Sequence, residues 1–355
     1  MLEQLNQFLP IAEKVINKKN PLLILKNICL RNGKMIVTDI ENYAVIPIDT
    51  NLNCIIPITI LKNVLRSKPK TFEIKTRKDK TTINYDSRQL KFTNRDVEDF
   101  PSLPKTRFNF VGNWNKKVFE YLNNQLPFCS NNELRPALTG VFVSQNSQLE
   151  SCAVNGSMMK YYPDLGSCEV DKEFSGIIHQ KSIWIIKQFA DEIVKVSGDN
   201  KHYLRFSLKN NIQLYIRLID EPSVDFKSVI PEHTEKKVQF NRKEMLKLLK
   251  DAALFPDVTE KGIFNISHGR IKVSTYDPET DISWNSEISK QGDSSRKPVG
   301  MNIKYFTELL KSMNSDIVVW KFSNPISAQV FEETSDNEIK SINLLMPVRL
   351  SEDEN

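Results

Sequence analysis

Four histidines, His179, His202, His233 and His268, are the first candidates for acid–base or metal chemistry. They are scattered along the chain, and none stands at ligand spacing from a cysteine, an aspartate or another histidine. The five cysteines, Cys29, Cys54, Cys129, Cys152 and Cys168, are odd in number and contain no Cys-x-x-Cys pair. At least three lie in apolar, strand-like surroundings, so they read as buried free thiols of a reducing compartment. The 11 glycines form neither a phosphate-cradling loop nor a dinucleotide turn. Asp277-Pro-Glu-Thr-Asp281 gathers carboxylates, but no further ligand is near in sequence, and a short turn with Asx bonding is the better reading. No metal, cofactor or catalytic set is expected, and the chain reads as one that holds something.

Lysines give the positive signal. Lys243, Lys247 and Lys250 recur at spacings that put them on one helical stripe, opposite Leu246, Leu249 and Ala253. Lys304 and Lys311 align similarly opposite Phe306 and Leu310, while Lys62 with Arg66 and Lys14 with Lys18 are spaced one turn apart, with Lys19 adjacent. A single stripe of this kind is usually a solvated helix face. Its recurrence on several helices points to a shared cationic surface, suited to phosphates and indifferent to base sequence.

The elements that position these residues repeat at a period of about 120 residues. Amphipathic stretches begin near Ile56, Ile177 and Gly300, each preceded by a strand: Met35–Asp39, Glu150–Val154 and Arg270–Ser274. Two thirds close on similar phrases, Asp99-Phe-Pro-Ser-Leu-Pro104 and Asp225-Phe-Lys-Ser-Val-Ile-Pro231. A repeat this long can bury its own core, so three domains are expected, 1–106, 107–234 and 235–355. Helical spacing predicts helices over residues 2–17, 57–67, 116–126, 180–192, 241–255 and 302–313, two per repeat. Pro10 should kink or break the first. Asn241 with Glu244 resembles a capping box. Alternating runs predict strand pairs at 72–76 with 82–85, 203–207 with 212–216, and 316–322 with 328–331. The fold class is therefore α+β, with two helices on antiparallel sheets in each domain and linkers at 105–115 and 232–237. With 40% hydrophobic and 26% charged residues and a net charge of +5, the chain is an ordinary globular one that permits an anionic partner. No basic stretch leads into an apolar run at Met1-Leu-Glu-Gln-Leu-Asn-Gln, and no apolar run has membrane length; a cytoplasmic location without membrane contact is expected.

Four phrases stand out: Glu98-Asp-Phe-Pro-Ser-Leu-Pro104, Arg135-Pro-Ala-Leu-Thr-Gly140, Lys250-Asp-Ala-Ala-Leu-Phe255 and Leu345-Met-Pro-Val-Arg-Leu350. They resemble phrases of the bacterial DNA sliding clamp, the beta subunit of DNA polymerase III. Their order, their spacing and the threefold period extend the resemblance through essentially the whole chain. It implies the DNA-clamp fold, a head-to-tail homodimer closed into a ring, and double-stranded DNA passing through it. Cationic contacts would fall on Lys14, Lys18, Lys19, Lys62, Arg66, Arg135, Lys243, Lys247, Lys250, Lys304 and Lys311, with the loop Asn132 to Arg135 near the ring mouth. It implies a processivity role without catalysis, an ATP-dependent clamp loader, the catalytic subunit of DNA polymerase III and other clamp-motif proteins as partners. Their peptides would enter a pocket at Leu138, Val154, Gly156, Met158, Met159, Val224, Val229, Ile326, Met346, Pro347, Val348, Arg349 and Leu350. Ring closure would set Leu90 and Phe92 against Leu254 and Phe255 of the second copy.

The chain departs from the family where Val154-Asn-Gly-Ser-Met-Met159 replaces Thr-Asp-Gly-His-Arg-Leu, and where residues 351–355 follow Leu350. It is identified as a divergent member. Two rivals remain: a clamp-fold scaffold that sequesters clamp-binding peptides without encircling DNA, and a metal-dependent nuclease using Asp277 and Asp281.

Overall fold

The six amphipathic stretches are helices in a computed structural model of the protein, which describes residues 1–16, 20–77, 79–166, 173–188, 194–199, 201–255, 259–335 and 338–351. They are α1 (Leu2–Val15), α2 (Ile58–Arg66), α3 (Lys116–Asn124), α4 (Gln180–Lys187), α5 (Arg242–Ala252) and α6 (Ile303–Lys311). α1 continues through Pro10, contrary to the expected break. Proline removes one backbone donor, but Leu5, Phe8, Leu9, Ala12 and Val15 bury one face along the whole helix and hold it together.

The chain divides into two compact units. The first comprises Met1–Phe119, Cys168–Phe174 and Lys181–Asp220. Eight strands of its main sheet pair antiparallel in the order Cys54–Pro57, Asn27–Arg31, Lys34–Thr38, Asn42–Pro47, Gln213–Ile219, Tyr203–Ser207, Val194–Gly198, Asn109–Trp114. The last strand lies where a linker was expected. Val111 and Trp114 are buried there, and Trp114 packs edge-on against Phe206 at 5.6 Å, which makes the segment core. A separate three-stranded sheet, Phe72–Arg77, Lys80–Tyr85 and Arg88–Thr93, has Arg88–Thr93 at its edge.

The second unit comprises Glu120–Ser167, Ser175–Gln180 and Glu221–Asn355. Its strands run Gly140–Gln145, Leu149–Val154, Met158–Tyr162, Glu338–Leu345, Gln329–Ser335, Ile317–Phe322, Lys236–Asn241, Ile282–Gly292, Arg270–Asp277, Lys261–Ser267, Val299–Asn302. The helices α5 and α6 bury Met245, Leu248, Leu249, Ala252 and Ile303, Phe306, Leu309, Leu310. Phe306 meets Phe331 at 4.8 Å and Phe264 at 5.5 Å. Asn241 caps α5 by accepting from the backbone N–H groups of Lys243 and Glu244 at 2.9 and 3.1 Å, and Asn302 caps α6 through Tyr305.

Candidate functional site

The hairpin Leu149–Val154/Met158–Tyr162 supplies one wall of an apolar cavity of about 470 Å³ in the second unit. Its turn is tied by Asn155, whose side-chain oxygen accepts from the Ser157 and Met158 N–H groups at 2.9 Å each. Gly156 takes φ +94° in this turn, a conformation that a side chain would strain. Met158 and Met159 then register against Leu345 and Leu344. The remaining lining comes from short helical turns: Pro136–Leu138 carries Leu138 and Ala137, and Lys227–Val229 carries Val229 opposite Val224. Val224, Val229 and Met346 expose 43%, 51% and 46% of their surface, so they are available for contact and are not core.

A second cavity of about 440 Å³ lies between Pro325–Ile326 and the segment Met346–Leu350, which also contributes to the first through Met346. The Met346 N–H donates to Ser157 O at 2.8 Å, and the Val348 N–H donates to Gly300 O at 2.8 Å. Gly300 lies so close beneath this segment that an added Cβ would stand 2.4 Å from Val348 O. Asn324 turns the opposite loop by accepting from the Ile326 and Ser327 N–H groups, which leaves Ile326 78% exposed. Every residue expected at a peptide pocket thus lines one of two cavities that share a methionine. Thioether side chains repack around different apolar groups, which suits a site for varied peptides. Arg135, expected among the DNA contacts, is exposed and also lines the first cavity. Sequence reasoning missed Gly300, whose role appears only once the C-terminal segment is placed above it.

Behind the hairpin, Lys160 is fully buried. Its ammonium group donates to Asn343 Oδ1 at 3.0 Å and to Ser312 O and Oγ at 3.2 Å, and stands 5.0 Å from the Tyr162 ring centroid. Burial pulls its pKa from 10.5 down to about 8, and the Glu333 charge opposes that pull.

The cationic residues are distributed over both units. Lys243, Lys247, Lys250, Lys304 and Lys311 are exposed on α5 and α6. Of the residues expected opposite them, Phe306 and Leu310 are buried, whereas Ala253 is exposed and the buried stripe of α5 turns toward Ala252. In the first unit Arg66 is exposed, Lys62 is ion-paired with Glu13, and Lys14 is half-buried. Lys18 and Lys19 lie outside the described residues. Leu90 and Phe92 lie half-exposed on the edge strand Arg88–Thr93 of the first unit, and Leu254 and Phe255 are exposed just after α5 in the second.

Among the described residues no group of three His, Cys, Asp or Glu side chains could hold a metal. Asp277 accepts from Glu279 N–H at 3.0 Å and from the Thr280 hydroxyl at 2.7 Å, the Asx-type turn expected of that segment. Cys29, Cys54, Cys129 and Cys152 are buried free thiols, and Cys168 lies outside the described residues. Burial pushes Cys29 up to about 11 and Cys129 up to about 12, which makes both poor nucleophiles. No helix among the described residues is long and apolar enough to cross a membrane.

A family model described as DNA polymerase III beta subunit, C-terminal domain, matches residues 227–349. The beta sliding clamp of Rickettsia bellii is 24% identical over 390 aligned residues that span 97% of each chain. That of Bacillus subtilis is 22% identical over 277 residues, 76% of this chain and 72% of the relative. The crystal structure of DNA polymerase III subunit beta from Pseudomonas aeruginosa superposes with a TM-score of 0.89 at 17% identity, covering 98% of both chains.

Proposed function

From the premise that this chain has the clamp fold and is a divergent member of the bacterial DNA polymerase III beta-subunit family, we propose that it is a DNA sliding clamp. It encircles duplex DNA and tethers a replicative polymerase through a peptide seated in the two apolar cavities. The observation that carries this reading is that pair of cavities, joined by Met346 and lined by the residues where the family resemblance puts its partner site. The family is one of non-catalytic processivity factors, and we assign this chain no reaction of its own. Its exposed lysines on α5 and α6 would meet phosphates without reading bases, a contact that tolerates any sequence and permits movement along the duplex.

We further propose three clamp domains, 1–106, 107–234 and 235–355, the middle one lending strands to both compact units. Two copies would close head to tail through Leu90 and Phe92 of one against Leu254 and Phe255 of the other, since exposed apolar side chains favour burial in an interface. An ATP-dependent loader would open that ring, and other clamp-motif proteins would compete for the cavities, all in the cytoplasm.

Polymerase stimulation on primed circular DNA with the cognate loader tests the reading. Reversing Lys243, Lys247 and Lys250 to glutamate should abolish stimulation while leaving peptide binding intact. Val229→Asp, which puts a charge into the cavity wall at a half-exposed position, should weaken peptide binding at least 10-fold while leaving DNA loading intact, by the roughly 1.4 kcal/mol per decade relation. Unchanged stimulation in the lysine variant would favour a scaffold that only sequesters peptides.

A further inference from the structure

Most of the lysines on the α5–α6 face already carry an anion. Lys243 Nζ lies 2.9 Å from Asp316 Oδ1, Lys311 Nζ lies 2.7 Å from Glu308 Oε1, and Lys304 Nζ lies 3.9 Å from Glu260 Oε1. Lys247 and Lys250 take part in no ion pair among the described residues. Lys250, Lys304 and Lys311 share one groove of about 330 Å³ between the helices with both glutamates. The first unit repeats the device, with Lys62 on α2 held by Glu13 on α1.

As stabilising contacts the three pairs on the α5–α6 face are weak, because their side chains are 36–71% exposed and screened. Their effect on a polyanion is larger. A lone lysine that neutralises a phosphate releases about one condensed cation from duplex DNA, which is the source of steep salt dependence. A paired lysine must first leave its carboxylate, which then attracts a cation of its own, so the net release approaches zero. Lys243 pulls the Asp316 carboxyl below its ordinary range, in keeping with a pair that persists at neutral pH.

We propose that Asp316, Glu260 and Glu308 are internal counter-anions that keep the charges of three of the five lysines on this face compensated until a phosphate displaces them. The inference rests on the sliding-clamp reading and adds a tuning role for three acidic residues. Contact with DNA becomes an exchange of one anion for another, so each step along the duplex gains and loses little. Net charge neutralisation on this face then falls to Lys247 and Lys250.

Anisotropy titrations of a labelled linear duplex with the full-length protein, from 50 to 200 mM salt, test the idea. Each carboxylate removed should steepen the slope of log affinity against log salt by roughly 0.9. The triple variant Asp316→Asn, Glu260→Gln, Glu308→Gln should therefore lose roughly 40-fold more affinity than wild type across that range. Lys247→Gln with Lys250→Gln should flatten the wild-type slope by roughly 1.8. A triple variant with lowered Tm and a wild-type slope would make the three carboxylates ordinary surface pairs and overturn the inference, leaving the clamp reading in place. Wild-type protein without salt-dependent duplex binding would overturn both.

Discussion

Lys160 places a charge where no water reaches, and its neighbours explain why it is tolerated. Three oxygens of Ser312 and Asn343 accept from it, and the rings of Tyr162 and Phe128 cover it. Its folded pKa of about 8 lies below the unfolded 10.5, so above pH 8 the unfolded chain binds more protons than the folded one. Stability from this group therefore rises with pH through that window. The buried thiols act in the opposite direction from pH 9 upward, because their folded pKa values are raised. Between pH 8 and 9, urea unfolding should show wild type gaining roughly 1 kcal/mol relative to Lys160→Met, at up to 1.36 kcal/mol per pH unit. A constant difference across that interval would mean that Lys160 stays protonated in the fold with no lowered pKa, as a hydrated ammonium would. Nothing in the sequence singles this lysine out, since Met158-Met-Lys-Tyr-Tyr162 reads as an ordinary alternating strand. Its burial follows from the ladder with Glu338–Leu345, a pairing across at least 181 residues that no local pattern encodes.

At the scale of elements the helices are legible because each writes its apolar stripe at helical spacing, and Asn241 announces the start of α5. The interrupted first helix is misread because a rule about backbone donors is local, while the packing of Leu5, Phe8 and Leu9 that overrides it is not. The strand Asn109–Trp114 is misread as a linker for the same reason: its partner, Val194–Gly198, lies far along the chain. The pocket residues are legible through family phrases, whereas Gly300 is not, because its contact is with the C-terminal segment. Gly300→Ala should push Val348 and Leu350 away, given the 2.4 Å approach to Val348 O. Peptide affinity should fall about 10-fold or more, an effect of about 1.4 kcal/mol, while binding of duplex DNA stays at the wild-type level. Isothermal titration with a clamp-motif peptide reads this directly, and unchanged affinity would remove the second cavity from the site.

For the whole molecule, the exposed apolar pair Leu254 and Phe255 is the feature that a lone chain explains least well. Leu254 is 72% exposed and follows a helix end that could have closed on polar residues. Light scattering across micromolar concentrations should give the mass of two chains, about 82 kDa from the 41.0 kDa protomer. Leu254→Asp with Phe255→Asp should give one chain with its fold intact by circular dichroism and its peptide affinity unchanged. Wild-type protein that remains a monomer throughout would sink the proposed closure.

The ladder that joins Asn42–Pro47 to Gln213–Ile219, with Tyr43 opposite Tyr215, has a mechanical consequence. Residues from the first third of the chain share continuous backbone hydrogen bonding with residues from the middle third, and Met158–Tyr162 is stitched to Glu338–Leu345 in the same manner. Parting either seam would break a row of backbone N–H to O=C hydrogen bonds at once, whereas a junction of side chains between two copies can yield piecemeal. In the proposed closure of two copies, a gate for threading DNA would therefore belong at that softer junction.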